Sequence, residues 1–595
     1  MKNLIKIFSV LIITGILVSC EEEDFLDAPA KSTLDESTIF STVGLAQGAV
    51  DGILEPMGQQ NAYRARFLPY YGFNTDLEYN FSSNTSSGGA KFDLMAYDTK
   101  PNNSEMNSEN NAWAMMYQGI ERANIVIRGL RNYGNPEPGT EMGQLLGTAL
   151  TYRAVYYSDL MKAWGDVPAR FEPITTETIY LGKTSRETIY KQLIEDLGEA
   201  SELVAWPNAS PATSTVERIN KAFVKGLRAR LAMVASGYQQ YPDGVRRSTD
   251  PDLSVEKMYA LALEEVRSVI NSGTASLNPS FETFWRNYNA ENLQAGGESL
   301  WEIPFADGRG RVLFSFAVRH RSVDQFTGQA RGGTAGPTPF VFYDFDEDDT
   351  RRDVTAVPYQ WGNAVDGIAQ QELQGIDMWY FGKYRYEWME RRVTSTNDDG
   401  VNWIYMRYAE VLLTAAEAAN ELEGPGAAAP YLKEIRRRAF PPAQHAEKVD
   451  AYVDGLSSKE AMFNAIVEEY KFEYTGEMDR KMDLIRWNLL SDKLEEAKEK
   501  LTNLENRTGE YADVPTTLYY KYEDDGYTLD IYGLNRGETT NPGAEYSAYN
   551  WGEPLDDIIN TIYKPGVDVN NRQFWPIWQV FIDASNGLLV NDYGY

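Results

Sequence analysis

The chain has 595 residues, with 56 Lys+Arg against 87 Asp+Glu and a formal net charge of −31. Apolar residues make up 43% and charged residues 24%, a globular balance that excludes both a disordered chain and a polytopic membrane protein. So negative a surface disfavours nucleic acid, and with one Cys and two His neither a disulfide nor a Cys- or His-rich metal centre can be built.

Lys2 and Lys6 precede an apolar run, Ile7 to Val18, that is shorter than the roughly 20 residues of a membrane span. Residues 1–19 therefore read as a secretory leader. The leader ends Leu17-Val18-Ser19-Cys20, which resembles the bacterial lipobox, whose Cys becomes the lipid-bearing mature N-terminus. The only Cys of the chain falls there, so Cys20 is the expected lipidation site and lipid the expected link to the outer membrane.

Helical periods follow in order. Leu145, Ala149, Tyr152, Tyr156 and Leu160 recur every three or four residues, with Gly165 and Pro168 as stops. Thr184 and Glu187 are spaced as a capping box ahead of Ile189, Leu193, Leu197 and Ala200. Phe223 to Val234 and Tyr408 to Leu422 give two further stripes, and Ala427–Ala439 and Glu460–Trp487 are also helical. Small residues on these faces let neighbouring helices approach closely. The pattern predicts a mostly α fold: a tetratricopeptide-like helix-pair scaffold, mainly residues 37–240 and 400–490, with a long irregular loop-rich face and small β elements. Residues 240–400 and 500–595, rich in Gly, Pro, Asn, Asp and aromatics, supply those loops, with a short strand at Ser299–Pro304. Residues 20–595 read as one domain.

Several motifs then resemble one family. They are Phe25-Leu26-Asp27-Ala28-Pro29; Tyr152 to Leu160 with Trp164-Gly165-Asp166-Val167-Pro168; Met406-Arg407-Tyr408-Ala409-Glu410-Val411-Leu412-Leu413; Glu434 to Ala439; Glu469, Glu473, Glu477, Arg480 and Asp483 to Trp487; and the tail Asn586 to Tyr595. In this order they resemble the SusD/RagB-like outer-membrane lipoproteins of Bacteroidetes. Tyr470, Gly587 and Trp578 depart from the family pattern. The resemblance implies a surface-exposed, lipid-anchored protein, its acidic Glu21–Asp24 stretch resembling the export signal of such lipoproteins. It implies glycan binding, delivery to a SusC-like TonB-dependent transporter, and no enzyme activity. A peptide or other non-glycan nutrient is the alternative cargo, and a purely structural partner of the transporter or a surface glycoside hydrolase the remaining ones. Hydrolysis needs two carboxyls about 5–10 Å apart, and 87 acids always supply such a pair without marking one.

Arg407, Glu410 and Glu417, and likewise Glu473, Glu477, Arg480 and Asp483, are spaced to share helix faces and are read as structural charges holding helices in register. Asp344 to Asp349 and Glu523 to Gly526 carry acids, but neither fits a calcium loop, so no cofactor is expected and a structural calcium is kept only as an option. A sugar presents an apolar face edged with hydroxyls, so its site needs aromatics beside Asp, Asn, Gln and Arg. By the resemblance, the site lies on two loop segments. Candidates are Asp76, Tyr79, Asn80, Phe81 and Asn84 on the first, and Trp285, Tyr288, Arg319, His320, Gln325 and Phe326 on the second, with Trp361 beyond. Trp113 pairs with Tyr117 on a helix, and Trp301 belongs to the core.

Overall fold

The computed structural model describes residues 35–83, 89–306, 308–394 and 399–595. The leader, Cys20 and Asn84 lie outside the described residues.

The scaffold is a row of antiparallel helix pairs. Its members are α1 (Ala112–Gly129), α2 (Glu141–Trp164), α3 (Arg186–Leu203), α4 (Lys221–Ser236) and α5 (Val255–Ser272), each packed on the next. After a long excursion the row resumes with α6 (Tyr408–Glu423), which packs on α5, then α7 (Pro425–Ala439) and α8 (Lys459–Tyr474). Two shorter members follow, α9 (Arg480–Arg486) and α10 (Leu490–Asn506).

The helices start where a side chain can take a free backbone N–H. Asn111, Thr140, Asn220 and Ser458 each accept from the third residue on. At α3 the cap is Ser185, one residue later than the capping-box reading placed it; Thr184 is bonded instead to Val167. Gly165 ends α2 at φ 71°, a conformation glycine adopts without strain. Gly119 lets α1 lie against α2: a Cβ there would come within 2.2 Å of the Tyr156 ring.

Two expectations need correction. Residues 240–400 are not all loop, since α5 lies among them and pairs with α4. The run Glu460–Trp487 is two helices, broken where Gly476 and Met478 take positive φ.

Residues 273–407 leave the scaffold and return. They carry β2 (Ser299–Ile303) and β3 (Ala335–Pro337), and close with β4 (Trp403–Arg407), which pairs antiparallel with β2. The earlier strand β1 (Glu78–Asn80) pairs with β3, so the first loop segment is stitched to the excursion. The C-terminal region adds a three-stranded sheet with β5 (Thr517–Tyr522) between β6 (Leu529–Tyr532) and β7 (Ser547–Asn550).

The motif charges bind the excursion to the scaffold. Arg407, buried at the end of β4, reaches Glu298 (2.6 Å), Glu473 (2.8 Å) and Glu477 (2.7 Å). Arg438 bridges Glu298 (3.1 Å) and Glu473 (2.5 Å). Arg351 adds Asp349 (2.6 Å), Glu469 (2.7 Å) and Glu473 (3.0 Å), and Lys383 closes on Glu477 (2.6 Å). Glu298, Asp349, Arg351 and Lys383 belong to the body of the excursion; the others belong to β4 or the helices. The structural reading of these charges holds, but its geometry differs. They do not share one helix face, because Arg407 precedes α6, Glu410 pairs with Arg230, and Glu417 with Arg486. Arg480 grips Asp76 (2.8 Å), which ties the first loop segment to α9. Three acids of the Asp344–Asp349 stretch are taken up by cations: Asp344 by Lys471 and Lys500, Asp346 by Lys448, Asp349 by Arg351.

Lys481 on α9 is the opposite case. It is 3% exposed, lies 4.9 Å and 4.6 Å from the Tyr71 and Tyr97 ring centres, and has no carboxylate within 4.0 Å among the described residues. Burial pushes its ammonium down to about 7. Between that value and the ordinary 10.5 the unfolded chain holds a proton that the folded chain does not, so stability rises with pH across this window. Lys481→Met should therefore stabilise the protein by about 1–3 kcal/mol at pH 7 and flatten that rise. Urea titrations at pH 7 and 9 check both; an unchanged slope would mean that the ammonium is not desolvated.

Candidate functional site

The loop-rich face is built, among the described residues, by 60–83, 305–306, 308–335, 359–373, 385–394 and 399–402. The two segments singled out in the sequence do meet. Phe81 N–H donates to the Thr334 carbonyl (3.0 Å), and the Arg319 side chain lies against Gly333.

Most of the candidate side chains point inward. Asp76 is consumed by Arg480, the Tyr79 hydroxyl bonds Thr561 (2.5 Å), and the Asn80 carboxamide accepts from Ser82 N–H (2.9 Å). Phe81 sets its ring edge-on to Tyr380. Trp285 is fully buried among Phe281, Phe284, Tyr288 and Tyr384, and the Tyr288 hydroxyl donates to the Asn402 carbonyl (2.5 Å). A ring with no exposed face cannot stack on a sugar, so Trp285 and Tyr288 act in this conformation as core.

A second group gathers beneath Arg319 and Phe326, which reach the surface. The His320 ring is stacked on Trp361 with centres 5.8 Å apart, and Phe326 tilts against Trp361 at 4.8 Å. His320 and Trp361 are each 1% exposed, Phe326 is half-buried and Arg319 is exposed. Asp324 fixes the His320 ring through Nδ1 (2.7 Å), while Nε2 has no hydrogen-bond partner among the described residues and lies 3.9 Å from Glu387. Burial raises the Asp324 carboxyl, but the bond and charge of His320 and the bonds from Phe326 and Thr327 N–H together outweigh it and hold the carboxyl below its ordinary value. Gln325 is spent on Ala369, to which it both donates (3.0 Å) and from which it accepts (2.8 Å). Of the ligand candidates within the described residues, Arg319, Phe326 and the already bonded Gln325 keep accessible surface.

Sequence reasoning missed what stands beside them. The turn Val365–Ile368, closed by reciprocal backbone bonds and by positive φ at Asp366 and Gly367, presents Val365 and Ile368 at 74% and 48% exposure. It also missed Arg64, Arg309 and Arg311, for which the run Gly308-Arg309-Gly310-Arg311 was a visible signal in a chain otherwise dominated by acids.

With this geometry in place, known proteins can be compared. A model described as "SusD family" matches residues 297–595, half of the chain. The chain belongs to the SusD family. A second model, "Starch-binding associating with outer membrane", matches residues 24–232. SusD-like proteins P25 and P38 of Formosa agariphila are each 24% identical to this SusD-family chain. The alignments cover 82% of it and 91% and 92% of theirs. Among solved structures, a SusD homolog from Bacteroides thetaiotaomicron superposes with a TM-score of 0.71 at 18% identity. It covers 93% of this chain and 97% of its own. Surface glycan-binding protein A from the same organism, solved with laminarihexaose, gives 0.61 at 18% identity, covering 92% and 99%. These likenesses establish the fold: the helix-pair scaffold with its loop-rich face is the SusD architecture. Among the described residues no helix is long and apolar enough to cross a membrane.

Proposed function

We propose that this SusD-family protein is an outer-membrane lipoprotein, anchored through Cys20, that captures glycan at the cell surface and passes it to a SusC-like TonB-dependent transporter without cleaving it. The observation that carries the reading is the match over nine-tenths of the chain to an architecture that a laminarihexaose-bound surface glycan-binding protein shares. The family model's association with starch and the outer membrane supports it.

In this reading the scaffold is rigid and the loop face receives the ligand. The half-buried Phe326 ring, held from behind by the buried Trp361 and His320, is the platform, and the exposed Arg319 reaches ligand oxygens at its edge. Asp76, Tyr79, Asn80, Trp285 and Tyr288 shape the walls from behind. Energy for uptake comes from the transporter and its partners.

The test is an affinity screen of the mature chain against oligosaccharides and polysaccharides, with reducing ends followed in the same wells. Saturable binding to at least one glycan with no new reducing ends is expected, and Arg319→Ala should weaken it about tenfold. New reducing ends would overturn the non-enzymatic reading. Silence on every glycan would move the cargo to peptide or another nutrient. Cys20→Ala should release the protein from the outer-membrane fraction.

A further inference from the structure

On this acidic molecule, one part of the loop face is basic. Arg64 and Arg66 come from residues 60–67, and Arg309 and Arg311 from the loop entering the helix Val312–Phe316. Arg64 Nη1 donates to the Arg309 carbonyl (3.1 Å), which fixes the two segments together. Gly310 presses on the Asp399 carboxylate: a Cβ there would stand 2.6 Å from Oδ1. The loop therefore runs between Arg64 and Asp399, and Arg311 lies flat on the Phe314 ring, 4.2 Å from its centre.

Among the described residues the charges here do not balance. Of the four arginines only Arg66 has a carboxylate within 4.0 Å among the described residues, Glu105 at 3.1 Å. Arg64 is 9% exposed, and its Nε has no hydrogen-bond partner among the described residues. Among the described residues Asp399 is the remaining acid facing the group, and burial pushes it up to about 7, so it neutralises the arginines only in part. Burial, and after it the charges of Arg311 and Arg309, hold Arg64 below its usual value, against Asp399. Other buried arginines are met by carboxylates, three each at Arg351 and Arg407 and one each at Arg153 and Arg480. Desolvating uncompensated guanidinium is costly, and an incoming anion with planar or tetrahedral oxygens would relieve that cost through paired N–H bonds.

We infer that Arg64, Arg309 and Arg311, with Arg66, form a subsite for an anionic substituent, carboxylate or sulfate ester, so that the captured glycan is an acidic polysaccharide. The inference rests on the glycan-capture reading and narrows it. Arg311, steadied by the Phe314 ring beneath it, offers its N–H edge to the anion, and Arg64 completes the pocket from below. Arg309, the most exposed, steers the approach of an anionic chain to a protein whose overall charge repels it.

The experiment uses the mature chain with four probes: an oligogalacturonate, a sulfated galactan oligosaccharide, neutral laminarihexaose and inorganic sulfate. Binding is measured by calorimetry at low and at about 0.5 M NaCl. At least one acidic oligosaccharide should bind about tenfold or more tightly than laminarihexaose, and salt should erase the difference. Arg311→Gln and the surface change Arg309→Gln should each cost about tenfold for the acidic probe and leave laminarihexaose unchanged. Arg131→Gln, which makes the same charge change at a distant Glu199 pair, should do neither. The uronate and sulfate arms tell which group is read, and sulfate alone should compete only weakly. Binding of laminarihexaose with no preference for acidic probes would overturn this inference while leaving glycan capture standing. Silence on all oligosaccharides would remove both. Unaltered acidic binding in Arg309→Gln and Arg311→Gln would place the anion elsewhere and equally overturn it.

Discussion

Glu473→Gln is expected to destabilise the protein by about 3–5 kcal/mol. The carboxylate is completely buried and takes hydrogen bonds from Arg407 (2.8 Å), Arg438 (2.5 Å) and Arg351 (3.0 Å). Burial alone would raise its pKa, but the charges of Arg438, Arg407 and Arg351 together outweigh burial and hold it well below the ordinary carboxylate value. An amide of the same shape cannot compensate three guanidinium groups, and each is then left desolvated and short of countercharge. The pH dependence has a definite sign. Because the folded value is depressed, the stabilisation is complete above the unfolded value of about 4.5 and disappears as pH falls below it. Urea unfolding at pH 7 and pH 4 measures both. The wild type should lose stability between these values, and the variant should lose less because it has already lost the charge. A variant as stable as the wild type at pH 7 would show that the network does not hold the fold.

Trp285→Ala should cost a comparable amount, about 3–5 kcal/mol, through the cavity it leaves. Its ring fills the space between Phe281, Phe284, Tyr288 and Tyr384, and the Lys383 ammonium lies 4.9 Å from its centre. Deleting it removes packing and also loosens Lys383, whose other partners are Glu477, the Glu473 carbonyl and the Phe281 ring. The effect should appear as a lower melting temperature. Glycan affinity of the molecules that remain folded should stay within about threefold, since the ring reaches no surface. A large loss of affinity at unchanged stability would mean that Trp285 is uncovered when ligand binds.

The scaffold was legible because a helix leaves a period in its apolar residues and caps at its ends. Tyr408 to Gly424 and Phe223 to Gly237 could be placed almost to the residue. Helix α5 carries the same kind of stripe in Tyr259, Ala262, Val266 and Val269, yet it sits amid Pro- and Asp-rich sequence that masked it. The charged motifs were legible as structural but not in their geometry. Spacing along one helix says nothing of partners such as Glu298 and Arg351, far off in the chain. The ligand face was least legible. An aromatic has the same letter whether its ring covers a core or a sugar, and only the three-dimensional packing separates Trp285 from Phe326. Arginines stand out differently, because what distinguishes Arg311 from Arg351 is that among the described residues no carboxylate lies within 4.0 Å of it.

The excursion of residues 273–407 departs from α5 and rejoins the scaffold at α6, and these two helices are neighbours. It thus behaves as a cassette plugged into one slot, latched by Glu298, Arg351 and Lys383. Loop closure costs little more for a long insert than for a short one, so the slot tolerates cassettes of different size and sequence provided the latches are kept. Diversification of cargo can then proceed by rewriting the cassette while the helix row and whatever docks against it stay constant. For engineering, the same division marks where a new binding face could be grafted without redesigning the frame.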